Sequence, residues 1–417
     1  MKSTFAVVLI LSAALGAQDL AITHVRAHPI TSPVIEDATI LIRDGIIKAV
    51  GVAIRIPEDI RTIDASGKDA WPGFIDGWTT LGLSEIGSVS STVDTREIGE
   101  WQAHLRARAA INPFSAHIPV ARVNGVTTAA VVASGGAVGP EAAVIDLAGR
   151  TVEDMLIPTG LSLRVLTLPR PPRREPRQKD ADFWKKVEKS WEKTRKLFER
   201  ARELKALVDA RGDDLDARVS GQERLALLAL GAHLERGDPF LVRVESRDAI
   251  LAALRFAKKH DLHLVLAGLR DAWEVVAELR ESGHRLLLGS VFSTPRKHEP
   301  FDAAYASAAV LHRAGLTFGF MTASSSNVRN LPYAAAMAVS HGLPREAAMR
   351  ALTLGAAEAL GIAGSHGSLF PGKVANIVIT SGDPLDVRTS PTHVLVRGRL
   401  VPLTSRHTEL AAPFLAR

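Results

Sequence analysis

Between residue 18 and about residue 70 the apolar positions come in short runs of strand length. Segments 20–27, 38–43 and 46–50 are apolar or alternate with polar residues, and Asp44-Gly45 between the last two is a tight-hairpin signal. The other end mirrors this. Segments 375–380 and 393–397 read as strands, with Gly382-Asp383-Pro384 and Gly398 as turns. The two ends therefore predict one small β domain assembled from both termini, over 18–70 and 366–405. The middle alternates. Continuous apolar runs at 126–132, 240–244, 262–266, 285–288 and 316–320 are of buried-strand type, and helical spacing fills 247–259, 272–282, 301–314, 331–341 and 345–360. Gly342 and Gly361 stand where helices end, and Pro344 suits a first helical turn. Alternation at this spacing predicts the α/β class, with a parallel sheet that is open or closed into a barrel.

One segment breaks the alternation. Residues 170–211 open with a Pro/Arg run and continue with Phe183, Trp184, Val187, Trp191, Phe198, Ala201, Leu204 and Val208 at helical spacing. They carry fifteen Lys/Arg against eight Asp/Glu, a surplus of +7 in a chain whose formal charge is +6, so the remainder is nearly neutral. Such a helix can face an anionic surface. Its interleaved acids favour the plainer reading, a helical insertion over about 170–212 packed on the body with charges paired along the helix. That mixture is unlike a nucleic-acid stripe, and no nucleic-acid partner is expected.

Composition narrows the chemistry. At 417 residues, 46% hydrophobic and 23% charged, the chain is globular, of two to three domains or one large barrel with a small companion. Zero cysteine removes disulfides, iron–sulfur clusters, zinc fingers and thiol nucleophiles, while 14 histidines leave enough imidazole for a metal site. Met1-Lys2, the apolar run 5–15 and the small residues Ala14, Gly16 and Ala17 read as a cleavable export signal over 1–17. The run is shorter than the ~18 residues a span needs. The expected mature protein is exported, into a periplasm, and is not an integral membrane protein. An uncleaved strand or anchor is the alternative.

Two motifs bracket the α/β middle. Trp71-Pro72-Gly73-Phe74-Ile75-Asp76 follows the first β region, and Gly367-Ser368-Leu369-Phe370-Pro371-Gly372-Lys373 precedes the last strands. Asn112-Pro113, Gly125-Val126-Thr127-Thr128, Asn330-Leu331-Pro332, and Thr353 followed by Ala356 and Leu360-Gly361 agree with them. Together these resemble the amidohydrolase superfamily, especially its imidazolonepropionase-like exported branch, over nearly the whole mature chain. The resemblance implies a (β/α)8 TIM-type barrel over 71–365 and a composite β-sandwich from the termini. It also implies metal-dependent hydrolysis of C–N bonds in cyclic amides or dipeptide-like substrates. A divalent ion, often zinc, would activate the water there, held by imidazoles and a carboxylate at the strand ends.

The chain departs from that pattern where the metal would be held. The family continues Pro-Gly-x-x-Asp with x-His-x-His; here Trp78 and Thr80 stand at the two histidine positions. Two residues apart on a strand they point to one side, and an indole N–H donates only, so they fill the site rather than ligate. Strand five places Glu245 nearest the expected ligand, strand six ends at Gly268 without an imidazole, and the last barrel strand runs into Ala323 and Ser324 with no carboxylate. Asn376 replaces the Asp usual after Pro-Gly-Lys, a surface or folding substitution. His117 is the one histidine expected near the barrel mouth, in a structural role. The glycine-rich run Ser134–Gly139 lacks the spacing of a phosphate-binding loop and is expected to be a loop over the mouth. No H-x-H, H-E-x-x-H or G-x-S-x-G spacing occurs.

Two readings follow. The first is a pseudoenzyme that keeps the fold, holds no metal or other cofactor, and binds a small molecule in the barrel mouth or serves in an assembly, as a homo-oligomer or beside an active paralogue. The second is a hydrolase with a non-standard site, with Glu245 as base or lone ligand, Thr80 or Ser324 positioning water, and Trp78 stacking on substrate. Against it, Glu245 has Arg243 and Arg247 at hand for an ion pair.

Overall fold

The structure is a computed structural model that describes residues 19–211, 221–289, 291–297 and 299–415. The export segment expected at 1–17 lies outside the described residues. Five strands open the chain: β1 (Leu20–Ala27), β2 (Ile35–Arg43), β3 (Ile46–Gly51), β4 (Arg61–Asp64) and β5 (Asp69–Pro72). Nine follow: β6 (Phe74–Thr79), β7 (Val126–Val131), β8 (Val138–Glu141), β9 (Ala143–Asp146), β10 (Arg164–Leu166), β11 (Phe240–Val244), β12 (Leu264–Gly268), β13 (Arg285–Leu288) and β14 (Gly319–Phe320). The last are β15 (Ile377–Thr380), β16 (Pro391–Val396) and β17 (Arg399–Leu400).

The first sheet draws on both ends of the chain, in the order β17-β16-β15-β5-β1-β2-β3, with β4 also paired to β1. At its hairpin, Asp44 and Gly45 both take positive φ, as the two-residue turn requires. The middle strands form two sheets, β14-β13-β12-β11-β10-β8 and β6-β7-β9. From β10 to β14 every pairing is parallel, whereas β8 and β9 run antiparallel to their partners β10 and β7. This corrects the expectation of a loop across 134–139, since Val138 and Gly139 lie in β8.

Side-chain alternation on these strands sorts residues between two cores. Leu241, Val265, Ala267 and Leu287 join Ile75, Trp78, Ala130, Val144 and Met321 in one cluster, which the helix Ala356–Leu360 also enters. Phe240, Val242, Leu266, Leu286 and Leu288 face the other way, into the core shared with the surrounding helices. The inner cluster is tight. A Cβ on Gly77 would lie 2.3 Å from Leu287 Cδ2, so β6 accommodates glycine there.

The segment expected as one basic helix contains the helices Asp180–Ser190 and Glu192–Arg211, with a third at Gly221–Arg236. Phe183, Trp184, Val187, Trp191, Phe198 and Ala201 are buried. Arg255 lies over the Trp184 ring at 4.2 Å and Arg174 over Phe183 at 4.0 Å. Its charged side chains pair on the same helices, as in Arg195 with Glu192 and Glu199, and beyond them, as in Lys193 with Glu100 and Glu188 with Lys259. The insertion therefore packs on the body through an aromatic face. Among the described residues no helix is long and apolar enough to cross a membrane.

Candidate functional site

Two groups of side chains gather at the C-terminal ends of the parallel strands. The first surrounds β6 and β14. Trp78 is 6% exposed and belongs to the inner apolar cluster. Its carbonyl accepts a hydrogen bond from Ala323 N at 2.8 Å, across the gap between the two sheets. Ala323 holds a positive φ of 53°. Ser324 Oγ accepts from Asn327 N at 3.2 Å, just before the short turn Val328–Asn330. Thr80 follows the end of β6, half-buried, and its carbonyl accepts from Leu83 N.

Beneath them lies a carboxylate that sequence reasoning treated only as a motif letter. Asp76 is fully buried on β6. Its Oδ1 accepts from Thr322 N at 3.0 Å and Trp78 N at 3.2 Å, and its Oδ2 accepts from the Thr322 hydroxyl at 2.5 Å. Desolvation pushes its pKa up to about 7 although these hydrogen bonds favour the ion. With no accessible surface, Asp76 organises the β6–β14 junction.

The second group stands over β11 and β12. Glu245 Oε1 accepts from Arg243 Nε at 3.0 Å, the ion pair anticipated from the sequence. Glu245 Oε2 is buried without a hydrogen-bond partner among the described residues. The carboxylate lies over Gly268, where an added Cβ would stand 2.7–2.9 Å from its three atoms, and Gly268 itself has a φ of +91°. No larger residue fits that strand tip unless Glu245 moves. Beyond it, Arg270 pairs with Glu299 at 2.6 Å with both side chains nearly buried, and Arg296 pairs with Asp271 at 2.9 Å. These pairs fasten the loop after β13 across the ends of β11 and β12. Among the described residues no hydrogen bond or ion pair joins the Trp78 group to the Glu245 group.

His117 has a structural contact, as expected, but on a helix rather than in a loop: it begins the helix His117–Arg122, and its Nε2 meets the Glu85 carbonyl at 3.0 Å, which secures the loop after β6. Asn376 is a correction. It is no surface detail but a buried link between the terminal sheet and β9, donating to Asp146 Oδ1 at 2.6 Å and to Thr128 Oγ1 at 3.1 Å. Asp146 already faces Arg397 at 2.6 Å and His366 at 3.4 Å, and together these hold its carboxyl below the usual range despite burial. An amide donates where a second carboxylate would repel.

Residues 276–402 match the Amidohydrolase family model. The amidohydrolase tasK of Hapsidospora irregularis is 24% identical over 396 residues, which is 86% of this chain and 39% of that protein. Together these two matches support the amidohydrolase superfamily for this chain. The chain thus spans well under half the length of that curated relative. An amidohydrolase from Thermotoga maritima MSB8 superposes with a TM-score of 0.78 at 23% identity, covering 93% of this chain and all of the other. A putative prolidase from Bifidobacterium longum gives 0.57 at 17%, covering 96% and 99%. Molinate hydrolase gives 0.55 at 16%, covering 93% and 95%.

Amidohydrolases usually use a divalent metal, so the donor set can be tested against one. An ion of that kind needs imidazole or carboxylate donors converging on one point. At the implied positions this chain offers an indole, a threonine, a glycine and an alanine; of the carboxylates close by, Glu245 is held by Arg243 and Asp76 is buried against Thr322. Among the described residues no three His, Asp or Glu side chains are grouped to hold an ion. The residues present do not fit the metal.

Proposed function

We propose that this chain is an exported amidohydrolase-superfamily protein that has kept the fold and given up metal-dependent hydrolysis, acting as a non-catalytic ligand-binding or assembly protein. One observation carries the reading: Gly268, at a strand end where the family places a ligand, lies beneath the Glu245 carboxylate, and Trp78, at another such position, is packed into the apolar interior. The same reading takes the inner sheets as a closed (β/α)8 barrel over 71–365, with the insertion over about 170–212. The Ala323-to-Trp78 hydrogen bond between the sheets supports it, as does the cluster they share. It takes 18–70 with 366–405 as the composite β-sandwich, and 1–17 as the signal that directs the chain to a periplasm. A ligand in the barrel mouth, a second copy, or an active paralogue are the partners it entails.

A second reading rests on Glu245 Oε2, buried and without a hydrogen-bond partner among the described residues. A carboxylate in that state has the character of a general base, which a hydrolase acting on C–N bonds of non-peptide or dipeptide substrates would use. A turnover assay on cyclic imides and dipeptides separates the two. The non-catalytic reading expects no hydrolysis above buffer from purified protein. Hydrolysis that Glu245→Gln abolishes overturns it in favour of the second.

A further inference from the structure

We propose that a cavity in the wall formed by β8 and β9 binds a small amphipathic carboxylate. The inference does not depend on whether the strand-end site is catalytic. β8 and β9 are two halves of one run of chain that changes partner at Ala142. Residues 138–141 pair with β10 and 143–146 with β7, while Ala142 N donates to Leu163 O at 2.7 Å. At this change of partner lies a cavity of about 340 Å³ whose lining includes Arg106, Arg108, Ala142, Val144, Ile157 and Thr159.

Its two sides differ in chemistry. Val144 and Ile157 belong to the inner apolar cluster, so the floor is hydrocarbon. Arg106 and Arg108 are exposed at the rim. The acid in the lining, Glu141, already faces Arg164 at 3.3 Å and Arg106 at 3.8 Å. Arg108 has no ion-pair partner among the described residues. Two guanidiniums of the lining, Arg106 and Arg108, thus stand beside an apolar floor, with Glu141 held by Arg106 and by Arg164 behind it. A guanidinium matches a carboxylate with two parallel N–H bonds. An apolar tail of the same ligand would cover Val144 and Ile157. The volume lies within the usual range of small-molecule sites. An inorganic anion would satisfy the arginines and leave the floor bare, so the amphipathic ligand is the better fit.

Titration calorimetry on the purified protein tests this with octanoate, octanamide and inorganic phosphate as probes. Octanoate should bind one to one, and octanamide about tenfold or more weakly, because it lacks the charge that pairs with arginine. Arg108→Gln should weaken octanoate about tenfold and leave octanamide unchanged. Arg108 is exposed, so that variant should fold. Ala142→Phe should fill the cavity and remove octanoate binding, with an unchanged circular dichroism spectrum as its control. Absence of saturable octanoate binding up to about 10 mM, well above the Kd of a specific site, would overturn the proposal. So would octanoate affinity that ignores Arg108→Gln, or phosphate binding as tightly as octanoate.

Discussion

Replacing Asp76 by Asn should change how the protein's stability depends on pH more than it changes stability in acid. The carboxyl titrates near 3.8 in an unfolded chain and at about 7 when folded, where burial disfavours the ion. Between those values the folded state keeps a proton that the unfolded state releases. Stability conferred by the neutral group is therefore fully present below about pH 4 and is lost as pH rises through about 7. A separation of about three units corresponds to about 4 kcal/mol, at about 1.4 kcal/mol per unit. Asn keeps the acceptor oxygen for the N–H groups of Trp78 and Thr322, and its amide can donate to the Thr322 hydroxyl, as the protonated acid does. Urea unfolding of both proteins from pH 4 to pH 8 reads the difference, and groups common to both cancel. The variant should be about as stable as the parent near pH 4 and more stable by a few kcal/mol near pH 8. Parallel stability curves across that range would refute the argument, because they would mean that Asp76 titrates alike folded and unfolded.

Three further outcomes follow from the same geometry. Asn376→Asp would place a second carboxylate against Asp146 in a buried site and should lower stability at pH 7 by about 2 kcal/mol or more, read as a fall in Tm that narrows in acid. Gly268→Ala combines a φ of +91° with a Cβ placed against the Glu245 carboxylate. It should cost about 1–3 kcal/mol, and Glu245→Gln in the same chain should recover little of it, because backbone strain is the larger part. Trp184→Ala removes a buried ring held under Arg255 and should destabilise by about 3–5 kcal/mol in urea unfolding.

The residues that specify the fold were legible where a strand alternates between two cores. Segments 240–244 and 285–288 sit in the structure with the bounds their apolar runs predict. The strand across 138–146 was not legible. Ser134-Gly135-Gly136 and Gly139-Pro140 read as loop chemistry, and its register depends on a change of partner between β10 and β7 that no local pattern encodes. At the candidate site, the identities of Trp78 and Thr80 could be read from the motif that precedes them, that of Gly268 from the end of its apolar run, and the Arg243–Glu245 pair from its spacing of two. Asp76 was hidden because its character comes from burial and from Thr322, 246 residues away. The Arg270–Glu299 pair was hidden for the same reason, since a loop brings it together across 29 positions. Asn376 looked superficial because a single amide after Lys-Val-Ala says nothing of Asp146 across the interface.

The central claim is that the strand ends no longer hold a metal. Elemental analysis of protein purified without chelators, after growth with zinc and manganese, tests it most directly. The account expects less than about 0.1 equivalent of any divalent transition metal per chain, since an indole, a glycine and an arginine-paired carboxylate do not make a ligand set. Near-stoichiometric zinc or manganese that survives dialysis would contradict it.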